Sequence, residues 1–75
     1  SEQDAELFES LRELRREIAS EEKIPQYMVF ADKTLAGMCV MRPENLDEML
    51  DVSGVGEHKL EKYGERFLER ILNHR

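Results

Sequence analysis

The run Val52-Ser53-Gly54-Val55-Gly56 constrains this chain more than any other segment. Leu46, Met49 and Leu50 precede it at helical spacing, and Leu60, Lys62 and Tyr63 follow it. Two glycines around one apolar residue, with amphipathic pattern on both sides, read as a hairpin between two helices. Gly54 and Gly56 lack Cβ and are free to take positive φ, which lets the chain reverse sharply. Val55 between them is placed to point inward and tie the turn to the core. Amides in such a turn, and at the start of the next helix, face outward and can hold a phosphate without regard to base sequence. The same Gly-x-Gly also serves as a plain tight connection. Gly54, Val55 and Gly56 are therefore candidate phosphate-contacting residues, with Lys59 and Lys62 one turn behind them to steer an anion toward the amides.

Seventy-five residues, 40% of them hydrophobic, suffice for one small core and no second domain. A chain of this length buries only ~60% of its extended surface. Cys39 is alone in the apolar run Met38 to Met41, so no intrachain disulfide exists and a buried, inert thiol is expected. That cysteine usage suits a reducing, intracellular setting. No run approaches the ~18 apolar residues of a membrane span, and no secretory signal is present. The chain starts at Ser1 and is densely charged at both ends, as expected of a piece of a longer protein. Eleven Lys and Arg stand against 17 Asp and Glu, for a net charge of −6. Residues 1–23 carry −4 and residues 24–50 carry −2, whereas residues 51–75 are neutral. A nucleic-acid binder ordinarily shows a basic stripe, because neutralising phosphates supplies most of its affinity. Any phosphate site here has to be local, and the neutral last third is where to seek it.

Leu7, Phe8, Leu11, Leu14 and Ile18 recur at helical spacing and predict a first helix from about Asp4 to about Ser20. Arg12, Arg15 and Arg16 alternate with Glu9, Glu13 and Glu17, which reads as a solvated, salt-laced face. Pro25 breaks the helical run, and Gln26-Tyr27-Met28-Val29-Phe30 reads as an extended connector laid across the helices. Asp32 is placed to cap a second helix running through Leu35 to about Met41. Asn45 with Glu48 has capping-box spacing for a short third helix, Leu46 to Leu50. A fourth helix follows from Glu57 to Tyr63, with Gly64 as a left-handed cap. Phe67, Leu68, Ile71 and Leu72 define a fifth. The expected architecture is all-α: one compact five-helix bundle spanning residues 1–75, monomeric.

No residue set points to catalysis. There is no G-x-x-x-x-G-K-[ST] phosphate loop and no DEAD-type carboxylate box, which excludes an ATPase motor. His58 and His74 lack partners at metal-ligand spacing, so neither a metal nor any other cofactor is expected.

Three stretches together resemble one family. Leu7-Phe8-Glu9-x-Leu11-Arg12-x-Leu14-Arg15-x-x-Ile18-Ala19 is similar to the first helix of the HRDC domain, found in RecQ-family helicases and ribonuclease D. Ile24-Pro25-Gln26-Tyr27-Met28-Val29-Phe30 with Thr34-Leu35, and Met49-Leu50-x-Val52-x-Gly54-Val55-Gly56-x-x-Lys59-Leu60-Glu61-x-Tyr63-Gly64 followed by Phe67-Leu68, match in order and spacing. The Pro-x-Tyr-x-x-Phe connector looks more like bacterial RecQ than ribonuclease D.

The resemblance implies a non-catalytic accessory domain of a bacterial, cytoplasmic, nucleoid-associated DNA helicase. It implies that Tyr27 contributes to strand binding, with basic side chains nearby on phosphates. Glu13 and Glu65 stand where DNA-binding members often have Lys, and Glu57 adds an acid beside the turn, so direct binding of single-stranded or junction DNA is expected to be weak or lost. Two readings follow. In the first, the domain tunes DNA-substrate recognition through Tyr27, Gly54, Val55, Gly56, Lys59 and Lys62. In the second, Glu6, Glu9, Glu13 and Glu17 form an acidic face that docks on a basic surface of the helicase core or another protein.

Overall fold

The computed structural model describes residues 1–74, and among them there are four α-helices and one 3-10 turn. Helix α1 runs Glu2–Glu22, α2 runs Asp32–Met41, α3 runs Leu46–Met49 and α4 runs Glu57–Leu72, with the 3-10 turn at Gln26–Met28. The core is built where α1 meets α2 and α4. Leu7, Leu11, Leu14 and Ile18 of α1 face Leu35 and Met38 of α2 and Phe67 and Ile71 of α4, all buried. Phe30 lies at the centre. Its ring meets Phe67 edge-on at 5.0 Å and Tyr63 at 5.9 Å, geometries worth ~0.5–1.5 kcal/mol each beyond burial.

The expected five helices are four. The predicted fourth and fifth are one helix, which passes through Gly64 without a break. Gly64 is a site of close approach rather than a cap. A Cβ there would stand 2.9 Å from Leu60 Cδ1 and 3.3 Å from Leu46 Cδ2, so the missing side chain lets α3 lie against α4.

Other expectations shift at the helix ends. Helix α1 extends past Ser20 because Lys23 takes the left-handed conformation, φ 58°. The Lys23 amide then donates to Ser20 O and the Ile24 amide to Ala19 O, the paired bonds of a Schellman stop. The connector is not extended: after Pro25 it winds into the single 3-10 turn. Asp32 is the first residue of α2 rather than its cap. Ala31 holds the cap position without a side-chain bond, and Asp32 instead reaches Arg15. At α3 the capping residue is as expected, since Asn45 Oδ1 accepts from the Glu48 amide at 2.8 Å. The return bond from Glu48 goes one residue further back, to the Glu44 amide.

The hairpin keeps half of its predicted geometry. Gly54 has φ +93°, a conformation that side chains rarely adopt, whereas Gly56 has φ −89° and is the N-cap of α4. Only Gly54 uses the freedom that glycine provides. Val55 is buried, and its amide donates to Val52 O at 3.0 Å.

Candidate nucleic-acid interface

Around Phe30 and Thr34 the connector, the first turn of α2, the hairpin and the first turn of α4 meet. The 3-10 turn faces Tyr27 outward, 69% exposed, beside the half-exposed Met28. Lys59 Nζ stands 5.8 Å above the Phe30 ring, which places it over the residue that closes the connector. Gly54 lies against Thr34, so the hairpin and the start of α2 are in contact. Lys59 is thus brought to the residue that ends the connector, and the hairpin to the start of α2.

Sequence reading missed two further cations there. Lys23, at the left-handed end of α1, and Lys33, in the first turn of α2, flank the Tyr27 turn and make no ion pair among the described residues. Their signal was available: both lie within six residues of Tyr27 along the chain.

Lys62 belongs to a different arrangement. Its Nζ is 3.3 Å from Glu22 Oε1, the oxygen that also accepts from the Tyr63 hydroxyl at 2.7 Å. The Tyr63 hydroxyl, and then Lys62, hold the Glu22 carboxyl below the usual glutamate value. Burial, and then donation to Glu22, push Tyr63 above the ordinary tyrosine value. The hydroxyl and the carboxylate beside it likewise raise Lys62. The lysine is therefore held as a cation and is already matched to an acid.

At the hairpin, Val55 has no amide to offer, because its N–H is bonded to Val52 O. The Leu60 amide makes the first intrahelical bond of α4, to Gly56 O, and Gly56 provides no capping side chain. The amides at the start of α4 therefore face outward without a capping oxygen. Glu57 places its own carboxylate in that first turn.

The acidic face is only partly free. Glu9 pairs with Arg12 at 2.9 Å and Glu17 with Arg70 at 3.5 Å, whereas Glu6 and Glu13 have no ion-pair partner among the described residues. Glu6, Glu9 and Glu13 line a groove of about 760 Å³ between α1 and the end of α4. Arg15, expected on the solvated face, is buried at 6% exposure. It donates to Phe30 O at 3.0 Å and pairs with Asp32 at 2.7 Å, and so holds the connector down from beneath. Its place between Leu11, Leu14 and Ile18 on the apolar stripe was the sequence signal for that burial.

Among the described residues no group of three or more His, Cys, Asp and Glu could hold a metal, and no helix is long and apolar enough to cross a membrane. Cys39 is buried, and burial raises its thiol above the ordinary value.

Comparison with known proteins gives these residues their context. The family model "HRDC domain" matches residues 4–71. The chain is 52% identical over 66 residues to the ATP-dependent DNA helicase RecQ of Bacillus subtilis, covering 88% of this chain and 11% of that protein. It is 46% identical over 72 residues to RecQ of Haemophilus influenzae, covering 96% of this chain and 12% of that protein. The chain thus spans about a tenth of the length of the helicases it matches. The solved structure of D. radiodurans RecQ HRDC domain 3 is similar with a TM-score of 0.90 and 41% identity, covering 93% of this chain and 92% of that one. This chain belongs to the HRDC family, the non-catalytic accessory modules of DNA helicases.

Proposed function

We propose that this domain tunes DNA-substrate recognition by a RecQ-like helicase, contacting single-stranded or junction DNA weakly through the Tyr27 face. The observation that carries this reading is the exposed ring of Tyr27 on the connector that ends at Phe30, over which Lys59 stands; Lys23 and Lys33, on either side of Tyr27 in the chain, and Lys59 are without an ion pair among the described residues. An exposed aromatic is a stacking platform worth ~1–3 kcal/mol per base, indifferent to base identity. The three lysines supply the phosphate contacts that orient the strand, and the amides at the start of α4 add uncharged donors. Affinity is low and falls steeply with salt, because a surface of net −6 repels the rest of the strand.

The test is fluorescence anisotropy of a labelled single-stranded oligonucleotide at low salt, with wild type, Tyr27→Ala and Lys59→Glu. Saturable binding that both substitutions remove is the expected result; binding indifferent to both overturns the reading.

A second reading rests on Glu6 and Glu13, without an ion-pair partner among the described residues, in the groove between α1 and α4. Such a face fits a basic protein surface, including that of the helicase core, with charge mainly setting encounter rate and specificity. Glu6→Lys/Glu13→Lys should then abolish association with the core while leaving oligonucleotide binding at the Tyr27 face in place. Unchanged association with the core removes this reading.

A further inference from the structure

Helices α1 and α4 are joined by a ladder of ion pairs with antiparallel order. Glu22 meets Lys62 at 3.3 Å, Glu21 meets Arg66 at 3.2 Å and Glu17 meets Arg70 at 3.5 Å. Lys62, Arg66 and Arg70 are spaced by four along one face of α4, and Lys59 lies three residues before them, in the same row. Without the α1 carboxylates this row presents four cations that begin at the Phe30 end and run along α4, with Glu65 and Glu69 beside Arg66 and Arg70. Pairs as exposed as Lys62–Glu22 and Arg66–Glu21 contribute little to stability, so holding the fold together does not account for them. Their larger effect is on the field outside: Lys62 and Arg66, one and two turns along α4 from Lys59, are neutralised by carboxylates of α1.

We infer that Glu21 and Glu22 are built-in competitors for phosphate, which occupy Arg66 and Lys62 and so set how weakly this domain engages DNA. The inference rests on the proposed DNA-contacting role and names what limits it. Tyr63 sharpens the competition, since its hydroxyl fixes the Glu22 oxygen that also faces Lys62. A strand has to displace both carboxylates before α4 can extend the contact surface beyond Lys59.

Glu21→Gln/Glu22→Gln removes the competitors and keeps an oxygen at position 22 for Tyr63. Each freed cation that takes a single-strand phosphate steepens the salt dependence by ~0.7 in log–log slope, or roughly eightfold in affinity at about 50 mM salt. Two cations give a slope steeper by ~1.4 and a gain on the order of tens of fold. The control is Glu2→Gln/Asp47→Asn, which removes two acids without ion-pair partners among the described residues and reaches the same net charge. Anisotropy with labelled oligothymidine across a salt series reads all three proteins.

A large gain confined to the ladder variant, halved on the logarithmic scale by adding Lys62→Gln, supports the inference, including the case in which wild type shows no binding. Equal gains in both double variants, an unchanged slope, or no binding by any of the proteins overturns it. Tyr27→Ala in the ladder background separates this inference from the reading beneath it. If the gain survives without Tyr27, the tyrosine platform fails and the ladder stands.

Discussion

Replacing Gly54 by alanine probes the one position where the hairpin depends on a missing side chain. An L-residue held at positive φ costs ~1–2 kcal/mol, and Gly54 sits at φ +93°. The new methyl would also overlap Thr34 Oγ1, and Thr34 is buried, so it has little room to turn away. Overpacking of this kind adds ~1–3 kcal/mol. The sum, ~2–5 kcal/mol, is a large share of the stability of a 75-residue domain. At ~4–8 °C per kcal/mol it lowers Tm by roughly 8–40 °C. Thermal unfolding followed by far-UV circular dichroism measures it, with urea titration as a second route. Gly56→Ala is the matched control: its φ is −89° and nothing lies within 4 Å of the added Cβ, so stability stays within ~0.5 kcal/mol of wild type. Thr34→Ala in the Gly54→Ala background relieves the overlap but leaves the φ strain, giving a coupling of ~1–3 kcal/mol. Equal Tm values for the two glycine variants, or strict additivity with Thr34→Ala, would refute the reasoning.

Further outcomes follow from other parts of the structure. Lys23→Gly should raise stability by up to ~1 kcal/mol in urea titration, because the left-handed stop of α1 is now made by a residue with a Cβ. Arg15→Met should cost ~1–3 kcal/mol by the same assay: the buried stem is replaced, but the charged bond to Phe30 O is lost. Exposed Tyr27 tolerates alanine with a Tm change of no more than about 4 °C, so any loss of DNA binding in that variant is not unfolding. The Glu22–Tyr63–Lys62 group predicts stability loss on both sides of neutrality. Glu22, held low, stabilises the fold above its unfolded value and loses that contribution as pH falls through its folded value. Tyr63 and Lys62, both held high, contribute below their unfolded values and lose it as pH rises through their folded ones. Glu22→Gln should flatten the acid limb of a Tm–pH curve, and a curve of unchanged shape would count against the arrangement.

Local rules made much of this fold legible before any coordinates. The apolar stripe of α1, the Asn45 cap and the turn at Gly54 each follow from interactions within a few residues, and each stands in the structure. The failures share a cause in tertiary contact. Gly64 has the composition of a helix stop, yet it continues the helix because Leu46 of α3 approaches there. Asp32 has the chemistry of a cap, but a buried arginine 17 residues away in sequence claims it. The candidate site divides the same way. Tyr27 is singled out by its connector motif and is exposed, whereas the state of Lys62 depends on Glu22, forty residues distant, which periodicity within one helix cannot report.

Phe30 has a consequence for whatever meets the surface above it. Its ring is gripped by two rings of α4, its carbonyl by Arg15 of α1, and the turn before it is closed by the Val29 amide on Gln26 O. Opening the Tyr27 turn therefore disturbs the Phe30 anchor, so the bonded amide of buried Val29 should exchange hydrogen far more slowly than the amides of exposed Gln26 and Tyr27, which make no backbone bond among the described residues. A ligand arriving at Tyr27 finds a backbone already ordered by folding, and little conformational freedom remains there to be lost on contact. The weakness proposed for DNA binding at such a place is a matter of charge, not of flexibility, which makes ionic strength rather than temperature its natural control.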